Sequence, residues 1–596
     1  MTTRGAVLVP TPAPAAPASS GGNHPWAGTV LAGVGLAVGL LGATWSDPAD
    51  ISGLGLLPAL HPLYFLGVVL VAAGAVGEIT SGSARSGRFA LQVVAFAVLL
   101  HGVSGIVEPN PRFPTAYLHV GFADQLASHG TLLSGLDARF SWPGFFSGAA
   151  VVQEATGGGP LTWALRFFPV VIDLFLVVLV DVLGQAAHIP SHRRRAAVLL
   201  FLVCSWIGQD YFSPQATATV LYLVAVLVMV TVFPGPGTPR WLRPLLRPAP
   251  YRAPTDARPS ARILAMGFLL VLTAATVTGH QITPGILALT ALLLAATGRT
   301  RLVAYPFLVV VATVGWLAFA AQPYWSGHLQ QLTGSAGRVG SIVNDNVTER
   351  AAAGTAARDL VVHARLGFSL LLVLAIVVSL LVLRHRRRVP VLLAVLVSAP
   401  WPMLLLQAYG GEMALRVLLF VLPALSLLVA SVLLPARART KWYHRGVVLV
   451  LLVGLLPAFL LARYGNESYE QITSDDLVVL DHAYTHTTGP VLVLTANSKT
   501  PRYFSAVDRV RFASLNAEVP SEVVADVTNR EGGYPSRYVF LGATQDALGV
   551  QTQGRRPGWT QSLARGLVAT GSFTVAARQG GSVLLQLTPP TPLPGG

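Results

Sequence analysis

The chain has 596 residues, of which 53% are hydrophobic and only 11% charged, and it carries a formal net charge of +15. A soluble globular protein holds about 25% charged residues, so that class is excluded. The surplus arginine would suggest nucleic acid if it were spread over a soluble surface, but it is confined to loops between apolar stretches, which argues against a nucleic-acid partner.

Residues 1–25 are rich in Pro, Ala, Ser and Gly and too polar for the apolar core of a signal peptide. They read as a disordered cytosolic tail. A membrane domain follows over 26–463. Crossing a hydrocarbon core of about 30 Å takes roughly 20 apolar residues. Thirteen stretches approach that length: 27–46, 56–77, 87–107, 161–184, 195–209, 214–234, 262–278, 282–298, 302–321, 366–383, 389–407, 415–434 and 446–463. The fold class is therefore a polytopic α-helical membrane protein of about thirteen spans.

The loops alternate in charge. Arg85 and Arg88, His192 to Arg195, Arg240 to Arg262, Arg299 and Arg301, Arg384 to Arg388, and Arg437 to Arg445 fall in every second loop. Placing them in the cytoplasm puts the N-terminus inside and the C-terminus outside a bacterial plasma membrane. The arginine-poor side then carries nearly every residue that could do chemistry.

The first constellation there opens a long outer loop, 108–160: Glu108-Pro-Asn-Pro-Arg112, then Tyr117, His119, Asp124, Asp137 and Arg139. Glu108 shares a helical face with His101 and Ser104. A carboxylate at the lipid–water boundary is partly desolvated, which raises its affinity for a proton and suits a general base. An interfacial Glu that merely ends a span reads equally from the pattern. Two pieces of this loop, 116–128 and 142–153, have the pattern of interfacial helices.

A second polar cluster, Gln209-Asp210-Tyr211-Phe-Ser213-Pro214, links two spans. Ser213 and Pro214 suit a helix cap and first turn, which leaves Asp210 and Tyr211 unexplained. A third joins spans through His280 and Gln281. In a fourth, Glu412 and Arg416 are four residues apart, the spacing of a structural ion pair, although a guanidinium near the outer leaflet also suits a lipid phosphate. Arg463 at the exit of the last span fits a basic interfacial anchor. Inside the fourth span, Asp173 and Asp181 are intramembrane acids, which mark function by default. Segment 322–364 reads as a lid or a plain connector.

Residues 464–596 alternate helical and strand-like patterns: helices over 474–485, 521–528 and 560–568, strands over 491–495 and 537–541, and a hairpin of 573–577 with 583–587. This predicts a small extracytoplasmic α/β domain in a supporting or substrate-capturing role. No nucleotide-binding glycine fingerprint, zinc motif or nucleophile elbow is present. No cofactor is required by the pattern; the acids would accept a divalent metal, but no ligand spacing argues for one.

Thr115-Ala-Tyr117-Leu-His119, followed by Asp124 and His129-Gly130, is similar to the Tyr-His segment opening the first outer loop of integral membrane glycosyltransferases of the GT-C superfamily. Asp210-Tyr211 and Glu412 through Arg416 resemble bacterial members of that class. The likeness covers the architecture of the membrane domain and a few short motifs; the long loop here follows the third span, where the family has it after the first. The resemblance implies transfer of a sugar from a polyprenyl-phosphate donor to a cell-envelope glycan, lipid or protein, with inversion. It implies Glu108, or failing that Asp210, as base. It places Arg112, Arg139 or Arg416 on the phosphate and Tyr117, His119, Asp124, Asp137, Tyr211, His280, Gln281 and Glu412 around the substrates. A transporter or flippase centred on Asp173 and Asp181, and a non-catalytic scaffold, are the competing readings.

Overall fold

The computed structural model describes residues 26–80, 86–254, 257–326, 354–405, 413–435 and 441–588. Glu412 and the charged stretch 345–353 lie outside these residues. Among the described residues, seven helices are long and apolar enough to cross a membrane: Ala27–Thr44, Phe168–Ala186, Pro214–Thr231, Pro259–Gly279, Ala356–His385, Met413–Leu433 and Trp442–Glu470. Shorter apolar helices are Pro62–Glu78, Ser86–His101, Thr283–Ala296, Tyr305–Ala320 and Val391–Leu404. Ser191–Cys204 lies between them, loaded with arginine only in its first turn. A helix thus stands in each of the thirteen apolar stretches, but among the described residues seven meet the length and hydropathy of a span.

The helices pack into one apolar core running from Ala43 to Tyr464. The tightest contact joins Ala27–Thr44 to Pro62–Glu78. A Cβ at Gly67 would fall on the backbone of Gly39, and one at Gly42 on the backbone of Tyr64. Small residues let backbones approach where no hydrophobic effect drives helices together.

Two ends can be distinguished by their contacts. At one, arginines satisfy carbonyls that terminate helices: Arg193 donates to Leu434 and Pro435, Arg195 to Glu78, and Arg384 to Leu245. At the other end gather the 108–160 loop, the turns at 205–213 and 280–282, and the C-terminal domain. The alternation of loops read from charge is therefore an alternation of ends in space.

The long loop folds into two helices, Pro114–His129 and Gly144–Ala155, packed against each other. The first begins with Pro114 after a strained Phe113 (φ 72°), whose N–H donates to the Glu470 carbonyl, and stops at Gly130 in the left-handed conformation. Both devices follow local chemistry: proline suits the first helical position and glycine the residue after the last.

The C-terminal domain is a five-stranded sheet, ordered β2-β1-β3-β5-β4. Strands β1 (Val491–Thr495), β2 (Val510–Ser514) and β3 (Ser536–Leu541) are parallel, and β4 (Phe573–Gln579) and β5 (Ser582–Leu587) complete it antiparallel. Helices Pro520–Thr528 and Trp559–Ala569 cover one face, and Ser474–Thr485 the other. Strand β2 and helix Ala543–Gln553 are additions to the sequence reading. Strand β2 sits at the sheet edge and is mostly half-exposed, so its Val-Arg-Phe-Ala-Ser lacks the apolar run that betrays β1.

Candidate functional site

At the end carrying the sheet domain, a cavity of about 800 Å³ opens between the 108–160 loop and the helix junctions. Its wall includes Thr115, His119, Asp137, Arg139, Gln209, Tyr211, Gln215, His280, Gln281 and Arg416. Residues from four separate sequence clusters therefore meet on one surface. Beside it lies an apolar groove of about 350 Å³, lined by Phe145, Val152, Trp163, Phe168, Phe212 and Leu221 among others. Pro214 and Gly279 border both, so the polar cavity and the apolar groove share a wall.

The two cavity histidines are set in opposite tautomers by their backbone partners. His119 Nδ1 lies 2.8 Å from the Phe212 carbonyl and must donate to it, leaving Nε2 as an acceptor. His280 Nδ1 accepts from the N–H groups of Ile282 and Thr283, so its Nε2 bears the proton and donates. Burial pushes both rings down to about 3, which keeps them neutral at physiological pH. His119 stacks on Tyr211 with centroids 5.9 Å apart. Asp137 caps the turn at Arg139 N and grips the Arg139 guanidinium at 2.8 and 2.9 Å. Arg416 donates to Gln215 at 3.1 Å.

Glu108, Arg112 and Asp210 are placed elsewhere. Arg112 spans Glu467 (2.6 Å) and Glu470 (3.1 Å), and Lys499 reaches Glu470 at 3.6 Å. Glu108 is buried beside this group; burial, then the charge of Glu467, raises its pKa well above the usual carboxylate range. Asp210 takes Arg463 at 2.6 Å, and Arg463 also donates to the Ser205 carbonyl. Burial opposes the Asp210 charge, but the Arg463 guanidinium outweighs it and holds that carboxyl low. Neither acid borders the cavity, so the structure moves both proposed bases behind its wall. Tyr117 is buried against the neighbouring helices, and Asp124 accepts from Gln153 at 2.8 Å. Neither lines the cavity.

Sequence reasoning did not foresee the partner of Asp173. His101 Nδ1 lies 2.8 Å from Asp173 and 3.7 Å from Asp210, while Nε2 faces the Leu202 carbonyl at 3.0 Å. With an acceptor at each ring nitrogen, a proton must sit on each, or pass from Nδ1 to Asp173. Among the described residues, His101, Asp173 and Asp210 form the group whose ligand atoms fall within 4.8 Å of one another. They do not fit a metal as they stand: Arg463 already neutralises Asp210, and no imidazole lone pair is free. The spacing of seven and four residues had put Glu108 and His101 on one face, but the helix is broken at Gly102, and the two enter different networks.

No family model matches the sequence, and no curated protein does. Among solved structures, the chain is similar to ArnT from Cupriavidus metallidurans bound to undecaprenyl phosphate. The identity is 14%, the match covers 85% of this chain and 98% of that one, and the TM-score is 0.48. The apo state of the same protein gives 13% identity, the same coverage and a TM-score of 0.47. What fold and site define directly is a multi-pass membrane protein with a C-terminal α/β domain and a polar cavity walled against an apolar groove.

Proposed function

We propose that the chain is a membrane glycosyltransferase of the GT-C kind. It would move a sugar from a polyprenyl-phosphate donor to a cell-envelope acceptor on the extracytoplasmic side. The observation that carries this reading is the shared wall of the cavity and the groove. An amphiphile with an anionic head and an isoprenoid tail needs a polar and an apolar compartment meeting at the membrane surface. Arg416, beside Pro214 and Gly279, stands where the head would cross between them, and a guanidinium binds phosphate through paired N–H groups.

Asp137 is the acid of the cavity wall among the described residues, and we assign it the base. The acceptor hydroxyl would attack the anomeric carbon and give its proton to Asp137. The bond from that carbon to the phosphate oxygen would break, releasing polyprenyl phosphate. His280 would donate and His119 accept hydrogen bonds from sugar hydroxyls. Glu108 and Asp210 then hold the framework.

The test is transfer of labelled sugar from a panel of polyprenyl-phosphate sugars by the full chain in lipid nanodiscs. A positioned base contributes typically 10²–10⁴-fold, so Asp137→Asn should lose about that much while Glu108→Gln stays active. Loss in Glu108→Gln with Asp137→Asn active would return the base to Glu108. Absence of transfer from every donor, together with solute or lipid movement abolished by Asp173→Asn, would make the chain a transporter.

A further inference from the structure

The helix Pro214–Thr231 serves both compartments of the site. Pro214 borders the cavity and the groove, Gln215 lines the cavity, and Thr217, Ala218 and Leu221 line the groove. The helical period produces this division. Residues 214, 217, 218 and 221 recur every three or four positions and share a face, while Gln215 and Thr219, four apart, stack on the neighbouring one. Gln215 is 3% exposed and Thr219 1%, and an amide held that deep needs hydrogen-bond partners.

Those partners settle which way the amide points. The Thr219 hydroxyl donates its single proton to the Gln215 main-chain carbonyl at 2.8 Å. Its oxygen is then an acceptor, so the end of the Gln215 side chain facing it at 3.2 Å is the Nε2 amine. Oε1 is thereby turned the other way, where it accepts from Arg416 Nη1 at 3.1 Å. A guanidinium offers donors alone, so Arg416 requires the same orientation that Thr219 does. A reversed amide would set N–H groups against the guanidinium and an oxygen against an oxygen.

Arg416 rises from a different helix, Met413–Leu433, 201 residues further along the chain. The Gln215 hydrogen bond ties its Nη1 to the residue next to Pro214, at the wall shared by cavity and groove. An arginine already ordered has less rotamer freedom left to lose on binding. The choice of side chain matters as well. Asp137 cancels the Arg139 charge that it grips, whereas a neutral amide holds a guanidinium and leaves its charge in place.

We infer that Gln215, oriented by Thr219, is a positioning residue that sets the Arg416 guanidinium towards the phosphate of the lipid at the shared wall. This rests on the proposed polyprenyl-phosphate reading and adds a residue that the reading does not use.

The experiment measures binding of undecaprenyl phosphate, undecaprenol and inorganic phosphate to the full chain in nanodiscs. Wild type is compared with Arg416→Gln, Gln215→Met, Gln215→Glu, Thr219→Val and the double variant Gln215→Met/Arg416→Gln, with thermal midpoints checked first. Arg416→Gln should lose about tenfold in affinity for undecaprenyl phosphate, as expected for a hydrogen bond to a charged group. Gln215→Met keeps the side-chain length without the acceptor and should lose about threefold, with Thr219→Val losing a part of that. Gln215→Glu keeps the hydrogen bond but adds a negative charge, and should lose as much as Arg416→Gln. Undecaprenol affinity should stay at the wild-type value throughout. If Gln215 acts through Arg416, the double variant loses no more than Arg416→Gln alone. Additive losses, or undecaprenol weakened in step with the phosphate, overturn the inference. Should Gln215→Met fail to fold, wild-type phosphate affinity in both Thr219→Val and Gln215→Glu overturns it instead. Wild type that prefers undecaprenyl phosphate, with Arg416→Gln unchanged, overturns the inference and leaves the function standing. Inorganic phosphate bound as tightly as the lipid overturns the assignment to a lipid headgroup. Wild type binding both lipids equally overturns the function itself.

Discussion

At the residue scale, burial decides which ionisable groups can work. His119 and His280 are held near 3, against an ordinary 6.5. The unfolded chain therefore takes up protons first as pH falls. Their contribution to stability is complete above about 6.5 and shrinks as pH drops towards 3. We expect the thermal midpoint in detergent to fall across that window, with His119→Gln and His280→Gln each flattening the slope. An unaltered slope in both variants would contradict neutral, buried imidazoles. Glu108 behaves oppositely: its raised pKa means the folded protein keeps a proton that the unfolded chain loses, so its stabilising contribution disappears as pH rises through the folded value. Glu108→Gln, a permanent neutral analogue, should unfold no earlier than wild type at pH 8. Arg112→Gln strands buried glutamates and should cost on the order of 3 kcal/mol in denaturant unfolding.

At the element scale, the first two helices test whether close approach or apolar burial holds the N-terminal pair. Gly39 and Gly67 face each other across it with no room for a side chain. Replacing Gly67 by Val should force the pair apart and cost about 1–3 kcal/mol, read as a lower thermal midpoint and weaker crosslinking between cysteines placed on the two helices. Gly33, where a Cβ would meet nothing within 4 Å, should accept the same change without effect. These helices were legible from composition, because about twenty apolar residues have no other stable fate in lipid. The loop helices Pro114–His129 and Gly144–Ala155 were legible as the amphipathic stretches 116–128 and 142–153, and Pro114 and Gly130 bound the first of them. Strand β2 was not, because a half-exposed edge strand carries Arg511 among its apolar residues and so lacks a period.

At the scale of the whole molecule, the arginine-rich end and the cavity end set an orientation that chemistry can check. In a Cys204→Ser background, Leu132→Cys, 48% exposed at the cavity end, should react with a membrane-impermeant thiol reagent in intact cells. Arg240→Cys, exposed at the other end, should react only after permeabilisation. The reverse pattern would put the cavity in the cytoplasm and exclude an extracytoplasmic reaction. The docking of the C-terminal domain also belongs to this scale. It joins the membrane domain through Glu470 with Arg112 and through Tyr503 with Gly121, pairs that are far apart along the chain.

The sequence alone determined the membrane class, the alternation of ends, the α/β nature of the last domain, and the four clusters from which the cavity is drawn. Those properties depend on local composition and period, which each segment carries by itself. Tertiary structure decided which polar residues of those clusters line the cavity. His119, Asp137, Arg139, Tyr211, His280, Gln281 and Arg416 share a wall, while Glu108 is buried beside the Arg112–Glu467–Glu470 group and Asp210 turns to Arg463. That choice depends on which buried charge finds an opposite one nearby. Arg463 lies 253 residues from Asp210, so no pattern within a span could reveal that pairing.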